Sequence, residues 1–562
     1  MKPKKAAAKA PETIKRSLVN PILTKNYSLS YHLRNIHYQA RIDFLHILRS
    51  PAFIVVLGLI MLVLGMELIS MYNNDRTDNL ATTYNTISFL EAVSQMVKLA
   101  IIYFAGMLIW KERENKVNDI LDSLPNKTWV VYLGKVVSVI YLMWIISILL
   151  TIIGVLYQAF NGFYVFDWKQ YFWEFFVFNI FDALTLVVLS MLIQILCNNR
   201  FLGYFVSCIL LIGEGYLLEW IDISSNLFGI TPNLPRVVFS DFYGYGPYLA
   251  QKLSFMFYWF TIYGLLALIS YWFFIRGHKN HWKERISEMK SRAVSSKNIS
   301  ITAALLASCS GGFLYYQTKI VNTYFSKEEN LKRSAYYEKT FKKLANHPTP
   351  KVVDVDYEIN LYPEERKYDV KGSIAMVNTE SAPIDRMYIN NDFKHPFVIV
   401  SKNLTLSDSD KNSTVNFQTY LLEKPLMPGD TLMLDYKFQE INKGIENSLS
   451  NTRLMPNGTF LDYGSFTPSL GYQEDYEIND KSDREKKGLP VKAESMPTLE
   501  KNCIEKCRTD YLGVPALWTK IHTKISTSGD QTAIAPGSLI RQWKENGRNH
   551  FEYNLAQPSK FF

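Results

Sequence analysis

The chain has 562 residues, of which 48% are hydrophobic and 20% charged; this composition excludes a disordered chain, because it supplies ample apolar surface to bury. The net charge of +9 lies entirely in residues 1–316, which carry 28 Lys and Arg against 19 Asp and Glu, whereas residues 317–562 carry 33 of each. Because the basic residues flank apolar segments, the pattern is typical of a membrane protein and argues against nucleic acid as a partner.

The chain begins with a basic leader, residues 1–29, which lacks the apolar core of a cleavable signal peptide. Residues 30–50 follow, with apolar side chains such as Leu33, Ile36 and Phe44 at helical spacing among basic ones. This spacing predicts an amphipathic helix in the membrane interface, and the alternative is a simple helical lead-in to the first span.

Seven stretches are apolar enough to cross a bilayer, which takes about 20 residues. They lie at approximately 52–72, 86–110, 128–158, 171–197, 201–220, 253–275 and 299–316. The first six predict a permease-like domain, 51–277, and the last predicts a linking span, 299–316. A basic linker, 278–298, separates the two and is expected in the cytoplasm.

The distribution of basic residues predicts the orientation of these spans. With the N-terminus in the cytoplasm, the inner segments contain 22 Lys and Arg and the outer loops contain three. By the positive-inside rule this is the expected arrangement, and an odd number of spans then places residues 317–562 outside the cytoplasm. The topology depends on 299–316, which is short and contains glycine; without that span the second part would be cytoplasmic.

The inner connection between the second and third spans, 110–129, is dense in both charges. It also places Val117, Ile120, Leu121 and Leu124 at helical spacing. This pattern predicts a short amphipathic helix on the inner membrane face, and the alternative is an ordinary solvated loop.

The order of these features resembles a bacterial type-2 ABC exporter permease. That family has an interface helix, six spans, a charged helix after the second span and a broken outer segment before the sixth. Here the charged helix corresponds to the runs 110–114 (WKERE) and 119–125 (DILDSLP). The broken segment corresponds to 221–251, where Gly and Pro interrupt an aromatic stretch and predict re-entrant or interfacial helices.

The resemblance implies partners as well as a fold. In that family the charged helix docks in a groove of a separate ATP-hydrolysing subunit, and two six-span units form one transporter. It therefore implies an ABC ATPase, a second permease half or a homodimer, and the bacterial cytoplasmic (inner) membrane. The residues that it assigns to ATPase coupling are Glu112, Arg113, Glu114, Asp119, Leu121 and Asp122.

Two ionisable residues lie deep in the predicted spans, Asp182 and Glu214. An isolated charge at that depth is costly, so each is expected either to line a substrate path or to pair structurally. The sequence does not choose between these alternatives. The other acidic residues of the spans lie toward span ends and are expected at the interface: Glu67, Glu91, Glu174 and Glu219.

The second part of the chain changes periodicity. Residues 317–349 predict a polar helical stalk that leaves the membrane. From residue 350 the apolar residues alternate with a period of two, and turn residues interrupt the runs. Residues 350–562 therefore predict an extracytoplasmic, mainly antiparallel β-sandwich or saddle-shaped domain.

This second part resembles the N-terminal β-domain of aminopeptidase-N-type zinc peptidases. The segments that carry the resemblance are 357–364 (YEINLYPE), 368–373 (YDVKGS), 428–430 (PGD), 457–460 (NGTF) and 468–472 (PSLGY). The resemblance implies that the domain binds or positions an extracytoplasmic peptide.

The catalytic signature of that peptidase class is absent from the sequence. A zinc peptidase of this class needs H-E-x-x-H, so that two imidazoles hold the metal and the glutamate activates water. We therefore predict no catalytic residue, no metal site and no cofactor in this chain; zinc would belong to a catalytic domain that the chain lacks. No phosphate-binding loop occurs either, so ATP hydrolysis is assigned to the partner. The alternatives to a permease are a fragment of a membrane-anchored aminopeptidase and a scaffold that does not transport.

Cys503 and Cys507 form an isolated C-x3-C pair in the polar part. In an oxidising compartment two nearby thiols can close a small disulfide loop, and the alternative is two free thiols.

Overall fold

The computed structural model describes residues 28–73, 80–237, 239–274, 276, 281–322, 324–391, 396–407, 417–447, 453–492 and 518–559. Cys503 and Cys507 lie outside the described residues, so the disulfide stays a prediction.

The first part of the chain is helical. The helices through the membrane domain are α1 Leu29–Leu48, α2 Pro51–Asn73, α3 Thr83–Leu90, α4 Ser94–Glu114, α5 Asn118–Asp122, α6 Thr128–Phe160, α7 Trp168–Tyr171, α8 Asn179–Cys197, α9 Arg200–Trp220 and α10 Tyr248–Phe273. They are followed by α11 Trp282–Ser295, α12 Lys297–Tyr315 and α13 Lys327–Phe341, and a last short helix, α14 Lys481–Lys486, lies in the second part.

Seven helical segments in the described part of the chain have the length and composition to cross a membrane. They are Pro51–Ser70, Thr83–Glu114, Thr128–Phe160, Trp168–Cys197, Arg200–Trp220, Tyr248–Phe273 and Lys297–Val321. The fourth joins α7 to α8 through a π-helical turn at Phe172–Phe178, and the seventh extends α12 through a similar turn. These segments confirm the predicted helical membrane bundle, including the short seventh stretch.

The burial of these segments shows how the bundle is built. Trp168–Cys197 lies at its centre, because 67% of the residues in its most apolar 18-residue stretch are buried. Pro51–Ser70 has a mean hydropathy of 2.7, yet only 17% of the residues in its most apolar 18-residue stretch are buried. A helix that is apolar on all sides and largely uncovered requires hydrocarbon as its solvent. The chain is therefore a multi-pass membrane protein.

The predicted interfacial segment forms α1, which packs along α6. Asp43 on α1 is fully buried and accepts hydrogen bonds from Lys111 Nζ at 2.7 Å and Gln39 Nε2 at 3.0 Å. Because a buried carboxylate is stable only when it is paired, these contacts fix α1 against the bundle.

The second part of the chain contains eleven strands among its described residues. They are β1 Lys351–Tyr362, β2 Lys367–Val377, β3 Ile384–Asn390, β4 Val398–Ile399, β5 Leu404–Leu406, β6 Phe417–Leu426, β7 Thr431–Ile441, β8 Ser469–Leu470, β9 Thr519–Ser528, β10 Ser538–Glu545 and β11 Arg548–Ser559.

These strands form two sheets around one core, as the sequence predicts. The larger sheet has the order β10-β11-β9-β1-β2-β7-β4, and the smaller has the order β5-β6-β3-β8. All pairings are antiparallel except that between β1 and β9. Alternate residues such as Val355 and Leu434 in the larger sheet and Ile389 in the smaller are buried in the same cluster. We refer to residues 351–559 as the β-domain.

Two sequence-based expectations differ from the structure. The outer segment 221–251 was expected to hold re-entrant or interfacial helices, but residues 221–237 and 239–247 form a loop with a single bridge between Ser240 and Gly244. Pro232 and Pro235 lack backbone N–H groups and restrict the residue before them, which disfavours a helix.

The predicted stalk, 317–349, is also not one continuous helix. The seventh membrane segment ends at Val321, and α13 begins only at Lys327. A capping box between Ser326 and Glu329 starts α13, because each side chain bonds the backbone N–H of the other. The chain therefore turns here, and α13 lies against the β-domain.

The bundle has two ends with different partners. At the β-domain end, the loop 221–247 and the start of α13 contact the β-domain. At the opposite end lie α5, the connection between α8 and α9, and the amphipathic helix α11. Each end carries a candidate site.

Candidate functional site

The three charges predicted at the end of the second span are held by neighbouring helices. Glu112 accepts a hydrogen bond from Lys135 Nζ at 2.5 Å, and Lys135 is only 1% exposed. Lys135 also donates to the carbonyl oxygen of Leu108 at 2.7 Å. Glu112 therefore neutralises a buried lysine of α6, and its carboxylate is directed into the bundle.

Arg113 and Glu114 make contacts with the next helix pair. Arg113 donates to Asn198 Oδ1 at 3.3 Å and lies 5.3 Å from the centre of the Trp110 ring. Glu114 forms an ion pair with Arg200 at the start of α9. These three adjacent charges fasten α4 to α6, α8 and α9, which leaves α5 as the element that projects.

Helix α5 presents apolar side chains outward. No residue of α5 is buried; Ile120 is 69% exposed and Leu121 43% exposed. Leu124, just beyond the helix, is 44% exposed. We call Val117, Ile120, Leu121 and Leu124 the apolar ridge.

A charged groove runs beside the apolar ridge. Its volume is about 710 Å³, and it is lined by Asp119, Asp122, Ser123, Leu124, Pro125, Asn126, Lys127, Thr128, Arg276, Glu288 and Arg292. Arg276 lies 3.7 Å from Asp122 and donates to the carbonyl oxygens of Leu124 and Asn126, so it holds the end of α5 in place. The six predicted coupling residues thus divide into three that brace the bundle and three on α5.

Helix α11 supplies the far wall of this groove through Glu288 and Arg292. Sequence reasoning treated this segment as part of a basic linker, 278–298, and assigned no site residue to it. The signal was its amphipathic spacing, because Trp282, Ile286 and Val294 interrupt charged residues at helical intervals.

A second candidate site is a cavity at the β-domain end of the spans. Its volume is about 330 Å³, and its lining residues are Tyr84, Ile87, Ser88, Glu91, Gln170, Glu174, Phe178, Asp182, Pro232, Leu234, Pro235, Arg236, Val237, Phe239 and Lys252. Three carboxylates and two cations therefore share one cavity between three membrane segments and the loop 221–247. We call it the charged cavity.

Local backbone structure positions the acidic wall of the charged cavity. The π-helical turn Phe172–Phe178 contains Glu174, and α8 continues from it to Asp182. Tyr245 in the loop donates its hydroxyl hydrogen to Glu174 Oε1 at 2.6 Å. π-Helical turns are often found where side chains are directed toward a functional site.

The basic wall of the cavity includes Lys252 of α10 and Arg236 of the loop. The ammonium of Lys252 lies 3.5 Å from the centre of the Phe178 ring, a cation–π contact. Its charged neighbours are Glu174, Asp182 and Glu91. The sequence analysis named neither cation and placed Glu91 and Glu174 at the interface. The signal was Lys252, a lysine directly before the predicted sixth span.

The structure separates the two deep acids of the sequence analysis. Asp182 lines the charged cavity. Glu214 lies elsewhere: Oε1 accepts the backbone N–H groups of Ile230 at 2.5 Å and Thr231 at 2.7 Å, and Oε2 accepts the Thr231 hydroxyl at 2.5 Å. Glu214 is thus paired with the loop and has a structural contact. Asp182 instead lines a cavity, as expected of a residue on a substrate path.

The loop that covers the charged cavity is bonded to the β-domain. Asn226 donates its backbone N–H to Asn447 Oδ1 at 2.9 Å and its side-chain amide to the Asn447 carbonyl oxygen at 2.7 Å. Gln251 Nε2 of α10 donates to the Glu446 carbonyl oxygen at 2.7 Å. Arg366 of the β-domain donates to the Tyr248 hydroxyl at 2.7 Å. The loop and α10 are therefore both bonded directly to the β-domain.

No group of three or more His, Cys, Asp or Glu side chains is placed to hold a metal ion within the described ranges. His522 lies on the face of the larger sheet, where it contacts Asp356 at 3.2 Å and Glu552 at 3.0 Å.

Part of the membrane domain is similar to a known transporter family. Residues 41–213 match the family model described as ABC-2 family transporter protein. This match spans α5 and Asp182, and it confirms the resemblance to that permease family over these residues. No curated protein sequence matches the chain.

Solved structures similar to the chain include the M1 zinc metallopeptidase from Deinococcus radiodurans. It is 14% identical, with a TM-score of 0.23, and the match covers 38% of this chain and 41% of that one. A mutant of the same enzyme bound to a Tyr-Ser-Ala substrate is 15% identical, also with a TM-score of 0.23. The chain thus spans less than half the length of these structures, and a likeness of this extent supports no inference about activity.

Proposed function

We propose that the chain is the permease component of an ABC-type exporter of the bacterial inner membrane, driven by a separate ATPase. The match of residues 41–213 to the ABC-2 transporter family and the seven membrane segments support a permease. The observation that carries the assignment of the ATPase interface is the apolar ridge, which is exposed beside a charged groove at one end of the bundle.

The apolar ridge and the charges beside it favour a protein partner. Isolated apolar residues on a surface are ordinary, but Ile120, Leu121 and Leu124 form one exposed patch on a short helix. Burial of such a patch against a partner is favourable, while Asp119 and the groove charges give the contact its orientation. A protein groove offers both kinds of contact. A bilayer surface offers apolar contact and mobile headgroup charges, which give the contact no fixed orientation.

We assign the apolar ridge end to the cytoplasm and the β-domain to the outside. The 22 to 3 distribution of Lys and Arg supports this orientation. In this arrangement the ATPase acts at one end of the spans and the β-domain contacts the loop at the other. The β-domain binds or positions an extracytoplasmic peptide without cleaving it.

A second permease unit completes the transporter, either a second copy or another six-span protein. Support comes from Arg200–Trp220, because only 17% of the residues in its most apolar 18-residue stretch are buried within one chain. Its exposed face carries large side chains such as Phe205, Ile212 and Tyr216. Small and large apolar side chains on one face can pack against another helix as well as against lipid.

Co-purification from native membranes tests the ATPase assignment. The double substitution Ile120→Asp and Leu121→Asp is expected to reduce the ABC ATPase recovered with the chain by about tenfold, because two charges are then desolvated at the contact. The matched control is Val294→Asp on α11, which is 75% exposed at the same end and outside the groove. Full recovery with the double variant, at normal membrane levels, contradicts the assignment.

A further inference from the structure

The charged cavity contains a polar atom that the protein leaves unpaired. Gln170 is 2% exposed and lines the cavity, yet its Oε1 has no hydrogen-bond partner among the described residues. The Asp182 carboxylate lines the same cavity, near the cations Lys98 and Lys252.

An unpaired acceptor inside a protein carries a cost. Leaving a buried polar group unsatisfied costs about 1–3 kcal/mol, and more for a charged group. Such groups are therefore rare in folded proteins, and a bound partner that supplies the missing hydrogen bond is one explanation for them. Because Gln170 Oε1 can only accept a hydrogen bond, its missing partner must donate one, and a cationic donor would also be attracted to the Asp182 carboxylate.

The other lining charges define the rest of the ligand. Glu91 and Glu174 add two carboxylates to the acceptor side, which favours a cation with several N–H groups. Lys252 and Arg236 add positive charge to the same cavity, which favours an anion such as a phosphate close to that cation. A primary ammonium joined by a short linker to a phosphate satisfies both sides.

The position of the cavity points to the membrane surface as the source of this ligand. Most of its walls come from the β-domain ends of three membrane segments, where the headgroup layer of a bilayer lies, and Asp182 is its deepest acidic residue. Tyr84 and Ser88, which are exposed, form one side of the cavity at the start of the second span. A volume of about 330 Å³ lies at the lower end of the range typical of sites for small ligands.

We propose that the charged cavity binds a phosphoethanolamine-type zwitterion, with the ammonium at Asp182 and Gln170 and the phosphate at Lys252 and Arg236. This chemistry has two sources, the headgroup of phosphatidylethanolamine and a soluble glycerophosphoethanolamine. The proposal goes beyond the permease assignment, because binding requires neither the ATPase nor transport.

The experiment measures lipid binding to the purified full-length chain in detergent by native mass spectrometry. The probes are phosphatidylethanolamine, phosphatidylcholine and phosphatidylglycerol with identical acyl chains, and soluble glycerophosphoethanolamine. Phosphatidylcholine keeps the positive charge but has no N–H donors, and phosphatidylglycerol has the phosphate and two hydroxyl groups but no ammonium. We expect the ethanolamine group to bind about tenfold more tightly than either of these lipids.

Two substitutions test the acceptor side. Asp182→Asn and Gln170→Met are each expected to reduce the preference for ethanolamine over choline to about twofold or less. Gln170→Met is the safer variant for folding, because the oxygen that it removes has no partner within the protein. The matched control is Glu219→Gln, which removes an exposed carboxylate that pairs with Lys327 outside the cavity.

The outcomes are distinguishable. If the chain prefers phosphatidylethanolamine and both variants lose this preference, the proposal is supported and the lipid is the source. If only soluble glycerophosphoethanolamine binds, and both variants lose this binding, the proposal is supported and the soluble compound is the source. Equal binding of the ethanolamine and choline lipids, or an unchanged preference in folded Gln170→Met, overturns it. Because no ATPase is present in this experiment, its result does not depend on whether the permease assignment is correct.

Discussion

Two neighbouring glutamates at the end of the second span have different energetic roles. Glu112 pairs with Lys135, whose side chain is 1% exposed, whereas Glu114 pairs with Arg200 where both side chains are more than a third exposed. Removing one partner of a buried pair leaves an uncompensated charge and costs about 3–5 kcal/mol. An exposed pair contributes about 0–1 kcal/mol.

We therefore expect Glu112→Gln to destabilise the protein strongly and Glu114→Gln to have little effect. The measurement is the apparent Tm of the full chain in detergent, followed by intrinsic fluorescence. The substitution Lys135→Met in the Glu112→Gln background is expected to recover most of the lost stability, because it removes the unpaired charge. Equal Tm values for the two single variants would show that the buried pair does not brace the bundle.

A buried ion pair between α13 and the β-domain gives a pH dependence. Arg484 donates to both carboxylate oxygens of Glu338, at 2.7 and 2.9 Å, and both side chains are at most 2% exposed. Burial acts to raise the pKa of Glu338, but hydrogen bonds from Arg484 and Lys342 act in the opposite direction and leave this pKa lowered. A carboxyl with a lowered pKa stabilises the fold above its unfolded pKa, near 4.3, and this stability is lost as the pH falls through the folded pKa.

The Tm of the full chain is thus expected to fall between about pH 5 and pH 3. Glu338→Gln should lower the Tm at pH 7 and make it less dependent on acidification. The matched control, Glu423→Gln on an exposed position of β6, should leave both unchanged. An identical pH profile in Glu338→Gln and the unaltered protein would rule out this pair as the source.

Part of the candidate sites could be predicted at the level of residues. Depth in an apolar segment was enough to select Asp182 and Glu214, because buried charge is costly wherever it lies. Their partners could not be predicted. Glu214 bonds to the backbone of Ile230 and Thr231, and this contact depends on how a proline-containing loop folds. Likewise, the sequence assigned Glu112 to ATPase docking because it is charged. The packing of α6 shows instead that Glu112 pairs with Lys135 inside the bundle.

Among the structural elements, the membrane segments followed most directly from the sequence. About 20 apolar residues need a helix in a bilayer whatever their neighbours are, so length and hydropathy sufficed. The strands were also predictable, because β7 alternates buried and exposed residues along its length. The loop 221–247 was not predictable. Its aromatic content suggested helices, but its prolines and its contacts with the β-domain determine its path.

The contact between this loop and the β-domain gives a prediction for one element. Asn447→Ala removes the acceptor for the Asn226 backbone N–H and the donor to the Ser224 carbonyl oxygen. We expect amide hydrogen exchange in 224–231 to become about tenfold faster, which corresponds to about 1.4 kcal/mol of lost local stability. Asn457→Ala, which removes only an exposed bond to Phe242, should leave exchange in 224–231 unchanged. Equal rates in all three proteins would show that Asn447 does not hold the loop.

For the whole molecule, the account requires that the two ends face opposite sides of the membrane. We expect a cysteine at Ser538 in the β-domain to react with an impermeant thiol reagent in cells whose outer barrier is opened. A cysteine at Ser123 beside α5 should react only after lysis. Both variants are made in a chain whose natural cysteines are replaced by serine. Labelling of both positions before lysis, or of Ser538→Cys only after it, would contradict the topology.

The central claim is that α5 contacts a separate ATPase, and site-specific photo-crosslinking tests it most directly. A photoreactive amino acid is placed at Ile120 in native membranes, and the same residue at Val294 is the control. The account predicts a covalent adduct between position 120 and an ATP-hydrolysing ABC subunit, identified by mass spectrometry, with little or none from position 294. Adducts from position 120 to lipid alone, at normal levels of the chain and the ATPase, would contradict it.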